Sequence, residues 1–171
     1  MKIDGDAGTV VRLSIAVVGP GEGASANAIA DAEEAGRLVA EQGWIVLCGG
    51  RDSGVMAACA RGATAAGGIA IGILPGVNRA DAAPRLTVSL PTGLGEARNA
   101  VLVTASDAII ACGISPGTTS EIALAVQARK PTVLVRPTAE GAALFERLAT
   151  GPFQIVTAPR SAIDWIAARC R

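Results

Sequence analysis

The sequence predicts an α/β fold in which a doubly wound parallel sheet carries helices on both faces. Short runs of β-branched and aliphatic residues alternate with helical stretches along the chain, and the inner runs are apolar at every position. Strands without a polar face belong to parallel sheets that are covered on both sides. Several of these runs also end in glycine-rich turns. Such turns are typical of a Rossmann-like sheet that binds its ligand at the carboxyl edge.

The first two predicted strands have the same construction. Residues 13–18 (LSIAVV) and 44–48 (WIVLC) are short apolar runs, and each is closed by a glycine turn, 19–23 (GPGEG) and 49–54 (GGRDSG). Between them, 27–42 places apolar side chains at helical spacing and is followed by a glycine, which favours the end of a helix. The pattern predicts two buried strands joined by a helix.

The next unit leads into a polar loop. The alanine-rich stretch 55–66 predicts a helix that stops at two glycines, and 69–74 (IAIGIL) predicts a strand closed by Pro75. Residues 77–84 are polar and predict a loop, and 86–90 (LTVSL) predicts a short strand.

The remaining chain continues the alternation. Strands are predicted at 108–111, 132–135 and 153–156, and helices at 95–105, 122–128, 139–149 and 161–169. Asp107 is expected to hold the turn into the strand that follows it, and Ser161 is expected to cap the last helix. We expect one domain over residues 1–171, with 1–11 as a loose tail.

Composition narrows the possible functions. The chain has 171 residues, which suits one domain, and 15 basic residues balance 15 acidic ones. Aromatic residues make up only 2% of the chain, so neither the charge nor the stacking rings of a nucleic-acid-binding protein are present. The sequence has no apolar run long enough to cross a bilayer and no signal-peptide core. We therefore expect no nucleic-acid or membrane partner.

Histidine is absent from the sequence. This excludes histidine-based general base catalysis and removes the commonest transition-metal ligand. The four cysteines are Cys48, Cys59, Cys112 and Cys170, and no two of them form a C-x-x-C pair. We therefore expect no metal site, and we expect a reducing cytoplasm as the location.

The stretch 113–121 (GISPGTTSE) joins a predicted buried strand to the start of a helix. The first amides of a helix lack internal partners and lie at the positive end of its dipole, so an anion can bind there. A simpler interpretation is a helix cap, supplied by Thr118 or Thr119. The two interpretations are compatible. We also expect the helix dipole to favour the ionised form of Glu121, near the helix start.

Two arginines on this edge are candidates for binding an anion. Arg51 follows the second strand, where a dinucleotide-binding protein would place an acidic residue that holds the ribose, so binding of NAD is disfavoured. No G-K-[ST] occurs in the sequence, so a P-loop is absent as well. Arg98 lies early in a helix, where its charge opposes the dipole, which suggests an anionic partner, either Glu121 or a ligand. The alternatives are a surface Arg51 paired with Asp52 or Glu22, and a solvated Arg98 bonded to the nearby Glu96.

Four motifs occur in order and resemble a known family. They are 49–56 (GGRDSGVM), 73–76 (ILPG), 95–99 (GEARN) and 113–121 (GISPGTTSE). The pattern is similar to that of the molybdenum cofactor carrier proteins, within the Rossmann-like group of the Lonely Guy phosphoribohydrolases and DprA-like proteins. The resemblance implies binding of a phosphorylated pterin, the molybdenum cofactor, usually by a homo-oligomer.

The resemblance and the glycine turns together predict a set of cofactor-binding residues. These are Gly19, Pro20, Gly21, Gly49, Gly50, Arg51, Gly54, Pro75, Arg98, Asn99, Ser115, Pro116, Gly117, Thr118, Thr119 and Glu121. No protein-ligated metal is expected, because the pterin carries its own dithiolene sulfurs.

Three functions remain open from the sequence, and one of them, a nucleotide-sensing interaction module, would share the same pocket and need only affinity. The first is a carrier that binds or protects the molybdenum cofactor, without catalysis. The second is hydrolysis of a nucleoside 5′-monophosphate, since Arg98 and Glu121 match the residues linked to catalysis in the enzyme branch. That branch carries P-G-G-x-G-T-x-x-E, and here 113–115 (GIS) stands in place of P-G-G.

The expected partners are a small phosphorylated ligand and other copies of this chain. We expect a homo-oligomer, a dimer or tetramer, with helix 27–42 and the helix from Gly95 as candidate interfaces. Molybdoenzymes or cofactor-synthesis proteins are further candidate partners. In either function, Arg98 is expected within hydrogen-bonding reach of Glu121 in a shared pocket.

Overall fold

The computed structural model describes residues 12–170 and contains a seven-stranded parallel sheet. The strand order is β4-β3-β2-β1-β5-β6-β7. The strands are β1 Ser14–Val18, β2 Ile45–Cys48, β3 Ile69–Leu74, β4 Val88–Pro91, β5 Ala108–Cys112, β6 Thr132–Val135 and β7 Phe153–Val156. The predicted parallel α/β sheet is confirmed. The predicted tail, 1–11, lies outside the described residues.

Six α-helices cover the two faces of the sheet. They are α1 Ala26–Glu41, α2 Gly54–Ala65, α3 Arg98–Ala105, α4 Pro116–Gln127, α5 Ala139–Leu148 and α6 Pro159–Ala167, with a 3-10 turn, Gly95–Ala97, before α3. Residues of α1, α2 and α6 share one buried core with the sheet. Residues of α3, α4 and α5 share the other. The sheet is therefore doubly wound, as the sequence predicted.

The order of the strands reverses at β1. From β1 the chain moves outward through β2, β3 and β4, and it then returns to pair β5 with the other side of β1. At such a switch point the connections leave in opposite directions and open a crevice at the carboxyl ends of the strands. The turns after β1, β2 and β5 therefore meet at one place.

Small residues let α1 and α2 pack closely. A Cβ on Gly36 would lie 2.2 Å from the carbonyl oxygen of Cys59, and one on Gly62 would lie 1.9 Å from that of Glu33. Both glycines are required by the approach of one helix backbone to the other. This contact accounts for part of the small-residue composition of the chain.

Polar contacts hold the opposite edge of the sheet. The Asp107 carboxylate accepts hydrogen bonds from the amide of Ser14 at 2.7 Å and from its hydroxyl at 3.1 Å. The ammonium group of Lys130 donates to the carbonyl of Thr104 at 2.8 Å, near the end of α3. The predicted structural role of Asp107 is confirmed, and the ligand edge stays free of these contacts.

Some predicted boundaries were wrong. The last helix begins at Pro159 with Ala158 in the cap position, so Ser161 lies inside the helix and does not cap it. Proline is favoured at the first helical position because its missing N–H would have no partner there. For the same reason α4 begins at Pro116, ahead of the predicted start.

Within residues 12–170, no helix combines the length and apolarity needed to cross a bilayer.

Candidate ligand-binding site

A cleft of about 350 Å³ opens at the carboxyl ends of β1, β2 and β5. The turns after these strands, the 3-10 turn and the first turns of α2, α3 and α4 surround it. Its lining residues are Val18, Gly19, Gly21, Glu22, Gly49, Arg51, Ser53, Met56, Glu96, Arg98, Asn99, Ser115, Gly117, Thr118 and Glu121. The cleft lies at the switch point, where ligands of such sheets bind.

Two glycines of the cleft are required by packing. A Cβ on Gly19 would lie 2.4 Å from the carbonyl oxygen of Cys112. A Cβ on Gly49 would lie 2.7 Å from both terminal nitrogens of Arg98 and 2.6 Å from the sulfur of Met56. The Arg98 guanidinium therefore lies directly against the backbone of Gly49, just after β2, where any side chain would displace it.

Gly117 differs from these two glycines. It occupies the second position of α4, and its φ is not among the positive values of the chain. A Cβ placed there would have Ser115 Oγ, at 4.0 Å, as its nearest neighbour. Neither packing nor backbone conformation requires a glycine at this position. Gly117 lines both this cleft and an outer groove between α3 and α4.

Ser115 caps α4. Its hydroxyl oxygen accepts a hydrogen bond from the amide of Thr118 at 3.2 Å and lies 2.9 Å from the hydroxyl oxygen of Thr118. The prediction that Thr118 or Thr119 caps this helix was therefore wrong. The amide of Gly117 lies in the first turn, where helical amides have no intrahelical acceptor.

Arg98 and Glu121 face each other in the cleft. The Nη1 atom of Arg98 lies 3.4 Å from Oε1 of Glu121, and the two side chains are only 9% and 8% exposed. Arg98 Nε is buried and has no hydrogen-bond partner among the described residues. The predicted pairing of these two residues in a shared pocket is confirmed. The alternative of a solvated Arg98 was wrong.

Burial changes the expected charge of Glu121. It raises the pKa of this carboxyl from 4.5 to about 7; Arg98 opposes the increase and Glu96 adds to it. Because α4 begins at Pro116, Glu121 lies in the second turn, where the effect of the dipole has weakened. The expectation that the helix dipole favours the ionised form of Glu121 omitted its burial, which acts in the opposite direction.

Asn99 joins α3 to the first turn of α4. Its Nδ2 donates to the hydroxyl oxygen of Ser120 at 2.8 Å, and the Ser120 hydroxyl donates to the carbonyl of Gly117 at 2.8 Å. Since the Ser120 hydrogen is used on Gly117, its oxygen must accept from Asn99, which fixes the orientation of the amide. Asn99 Oδ1 is then buried without a donor among residues 12–170.

Arg51 lies on the exposed rim of the cleft. The alternative interpretation, an ion pair of Arg51 with Asp52 or Glu22, was wrong, because neither pair forms in the described part of the chain. Its turn is held by backbone hydrogen bonds to the polar loop, from Asp52 to Asp81 at 3.0 Å and from Ala83 to Gly50 at 2.8 Å. The backbone that carries the Arg51 charge is therefore fixed.

Comparisons with known proteins identify the family of this chain. The model of the SLOG cluster4 family matches residues 12–163. This chain belongs to the SLOG cluster4 family. A curated protein of Archaeoglobus fulgidus that has no assigned function is 36% identical over 137 residues, which cover 78% of this chain and 88% of that protein.

Two solved structures are similar to this SLOG-family chain over nearly its whole length. The molybdenum cofactor binding protein of Rippkaea orientalis has a TM-score of 0.92 and 38% identity, over 95% of this chain and 100% of that one. The molybdenum cofactor carrier protein of Chlamydomonas reinhardtii has a TM-score of 0.85 and 35% identity, over 92% and 98%. The resemblance to the carrier proteins is confirmed.

The cleft of this SLOG protein contains most of the predicted binding residues. Those that line it are Gly19, Gly21, Gly49, Arg51, Arg98, Asn99, Ser115, Gly117, Thr118 and Glu121. The predicted residues that do not line it are Pro20, Gly50, Gly54, Pro75, Pro116 and Thr119. Some of the second group shape the turns: a Cβ on Gly54 would lie 2.2 Å from the carbonyl oxygen of Gly21. A direct role for them stays a prediction.

Sequence reasoning missed five residues of the lining, namely Val18, Glu22, Ser53, Met56 and Glu96. Glu22, Ser53 and Glu96 lie inside the predicted turns and motifs, so their positions along the chain were a usable signal. Met56, the third residue of α2, also lies at the end of the motif 49–56. Its sulfur packs against Gly49 in the fold.

Proposed function

We propose that this protein binds the molybdenum cofactor in the cleft at the carboxyl edge of the sheet, and that it carries or protects the cofactor. The observation that carries the proposal is the open first turn of α4 above Gly117. A glycine that neither packing nor backbone conformation requires leaves room for a ligand to approach the helix amides. The solved carrier relatives support the choice of ligand.

The residues of the cleft fit such a ligand. The phosphate would lie at the start of α4, on the amide of Gly117, with Arg51 supplying charge from the rim. The pterin would lie deeper, near Arg98 and Asn99, whose buried Nε and Oδ1 atoms lack partners among the described residues. The cofactor supplies its own sulfurs to molybdenum, so no protein metal ligand is part of the proposal.

A pair of variants tests this proposal. Gly117→Ala should lose binding of molybdenum cofactor released from a purified molybdoenzyme, because the methyl group fills the space above the first turn. Folding should be unchanged or slightly favoured, since alanine is about 1 kcal/mol better than glycine inside a helix. The measurement is thermal stabilisation by the cofactor together with molybdenum content after gel filtration.

Gly76→Ala is the matched control for this experiment. Gly76 is exposed, has no atom within 4 Å of a Cβ placed on it, and does not line the cleft. It should bind cofactor like the unmodified chain. If Gly117→Ala also binds normally, the ligand does not approach α4 and the proposed site is wrong.

The second candidate function is hydrolysis of a nucleoside 5′-monophosphate. The pairing of Arg98 with Glu121 in the cleft favours it, because a carboxylate can stabilise a positive sugar or activate water. The replacement of P-G-G by 113–115 (GIS) argues against it. Incubation with AMP followed by chromatography separates the two. Steady release of adenine, lost in Glu121→Gln, would establish the enzyme and contradict a purely carrying role.

We further propose a cytoplasmic homo-oligomer, a dimer or tetramer, that meets other copies through α3 and α4. The exposed side chains of these two helices are uncharged, so two copies of the surface can meet without burying unpaired charge. The outer face of α1 instead carries the ion-paired Glu34, Arg37 and Glu41.

The unpaired thiols support a reducing compartment.

Light scattering of the purified protein tests the oligomer. Val101 is an exposed residue of α3, and Val101→Asp should dissociate the assembly by burying a charge in the interface. An unchanged mass for this variant would exclude the α3–α4 surface as the contact. Delivery to a molybdoenzyme or receipt from a cofactor-synthesis protein remains part of the proposal, and an affinity measurement with each purified partner tests it.

A further inference from the structure

The cleft proposed to bind an anion carries an excess of acidic side chains. Its lining includes the carboxyl groups of Glu22, Glu96 and Glu121 and the guanidinium groups of Arg51 and Arg98. With every group ionised, three negative charges face two positive ones and leave one excess negative charge. These side chains would then repel a phosphate group with two negative charges, against the attraction of the positive end of α4. Loss of the charge on one carboxyl group would remove this repulsion.

Glu121 is the carboxyl group in the position to do so. Glu22 and Glu96 are exposed on the rim, where water screens their charges, whereas Glu121 is only 6% exposed. Its partner is Arg98, with 3.4 Å between Nη1 and Oε1, which is long for a charge-assisted hydrogen bond. The ion pair is therefore loosely formed in the free protein.

One terminal nitrogen of Arg98, Nη1, is shared with Glu121. Its guanidinium is packed on Gly49, where a Cβ would lie 2.7 Å from both terminal nitrogens. A ligand oxygen that reaches Nη1 meets the Glu121 carboxylate as a competitor for this donor. Protonation of Glu121 removes the competitor and turns it into a donor.

We propose that the cleft binds its anionic ligand together with one proton, which Glu121 takes up, so that occupancy is high at and below neutral pH and falls above it. This inference rests on the proposed function, because it assumes that the cleft is the anion site. The proton comes from solvent and is released to solvent when the ligand leaves. A rise in pH would thus unload the carrier.

The surroundings of Glu121 support this direction. Burial raises its pKa to about 7 in the free protein; Arg98, from α3, opposes the increase and Glu96, from the 3-10 turn, adds to it. The thiol of Cys48, at the end of β2, also interacts with Glu121 and Arg98. Arg51 and Glu22 lie on the rim. A bound dianion adds negative charge nearby, which raises the pKa of Glu121 further and draws in a proton.

The test uses sulfate as the probe, because sulfate keeps its charge of two across the range from pH 6 to 9. Dissociation constants are measured by thermal shift at intervals of one pH unit. The full chain should show nearly constant affinity at pH 6–7 and about tenfold weaker binding for each pH unit above it, the limit for one linked proton. Glu121→Gln should bind with an affinity that does not change over the range.

Glu22→Gln is the matched control. It removes a cleft carboxylate that is exposed and unpaired with Arg98, so it should keep the pH dependence whatever its absolute affinity. A second measurement needs no variant. At pH 8, the heat of sulfate binding in two buffers of different ionisation enthalpy should report uptake of about one proton.

The outcomes separate this inference from the proposed function. Sulfate that binds with the same affinity at every pH and without proton uptake would overturn the proton linkage and leave the anion site in place. If Glu22→Gln loses the pH dependence and Glu121→Gln keeps it, Glu22 takes up the proton in place of Glu121, and the proposal is overturned. Absence of sulfate binding at any pH would overturn both the linkage and the anion site.

Discussion

Replacing Glu121 by glutamine should stabilise the free protein at high pH and leave it unchanged at low pH. Burial raises the pKa of this carboxyl from 4.5 to about 7. Between these values the folded protein holds a proton that the unfolded chain has released. The unfolded state therefore binds fewer protons, and the stability contributed by this group falls as pH rises through the window.

The magnitude follows from the two pKa values. At about 1.4 kcal/mol for each pKa unit, ionising Glu121 in the folded protein costs about 3 kcal/mol at pH 8 relative to the unfolded chain. The attraction of Arg98 is already included, because it acts on the same pKa. Glutamine resembles the protonated acid in shape and has no such cost, so the variant should be more stable by up to this amount at pH 8.

Urea unfolding at pH 4.5, 6 and 8 measures the effect as a difference between the variant and the unmodified protein. The difference should grow with pH and level off above about pH 7.5, and the melting temperature at pH 8 should rise by roughly 6–12 °C. Glu22→Gln, an exposed carboxylate of the same cleft, should change stability by less than about 0.5 kcal/mol at every pH. A stability difference for Glu121→Gln that is the same at all three pH values would refute the reasoning.

Three further predictions concern the same cleft. Gly49→Ala should displace the Arg98 guanidinium, because its methyl group would lie 2.7 Å from both terminal nitrogens; urea unfolding should show a loss of about 1–3 kcal/mol, and an unchanged stability would contradict the packing. Arg51→Ala should weaken cofactor binding by about 1.5–3 kcal/mol in a titration and leave the melting temperature almost unchanged, whereas unchanged affinity would exclude Arg51 from the site. Crystals grown in sulfate should hold an oxyanion near the amides of Gly117 and Thr118, with the amide of Gly117 as its donor, and an empty turn at good resolution would count against it.

The sequence by itself determined the architecture of this protein. The period of apolar residues is a local property, and the change from uniformly apolar runs to helical spacing identified every strand and helix, with errors only at their ends. Because parallel strands expose their carboxyl ends at one edge, the glycine turns 19–23 and 49–54 and the stretch 113–121 were expected to meet. The position of Arg98 early in a helix, where its charge opposes the dipole, indicated Glu121 or a ligand as its partner, and the family motifs matched both residues.

Only the tertiary structure decided what each residue of the cleft does there. Gly49 and Gly117 look alike in sequence, yet one makes room for Arg98 and the other leaves open space above a helix end. The capping hydroxyl is that of Ser115, because the helix starts at Pro116. The charge of Glu121 depends on burial by elements far apart in the chain. Packing and desolvation sum over neighbours in space, and no local pattern of residues contains that sum.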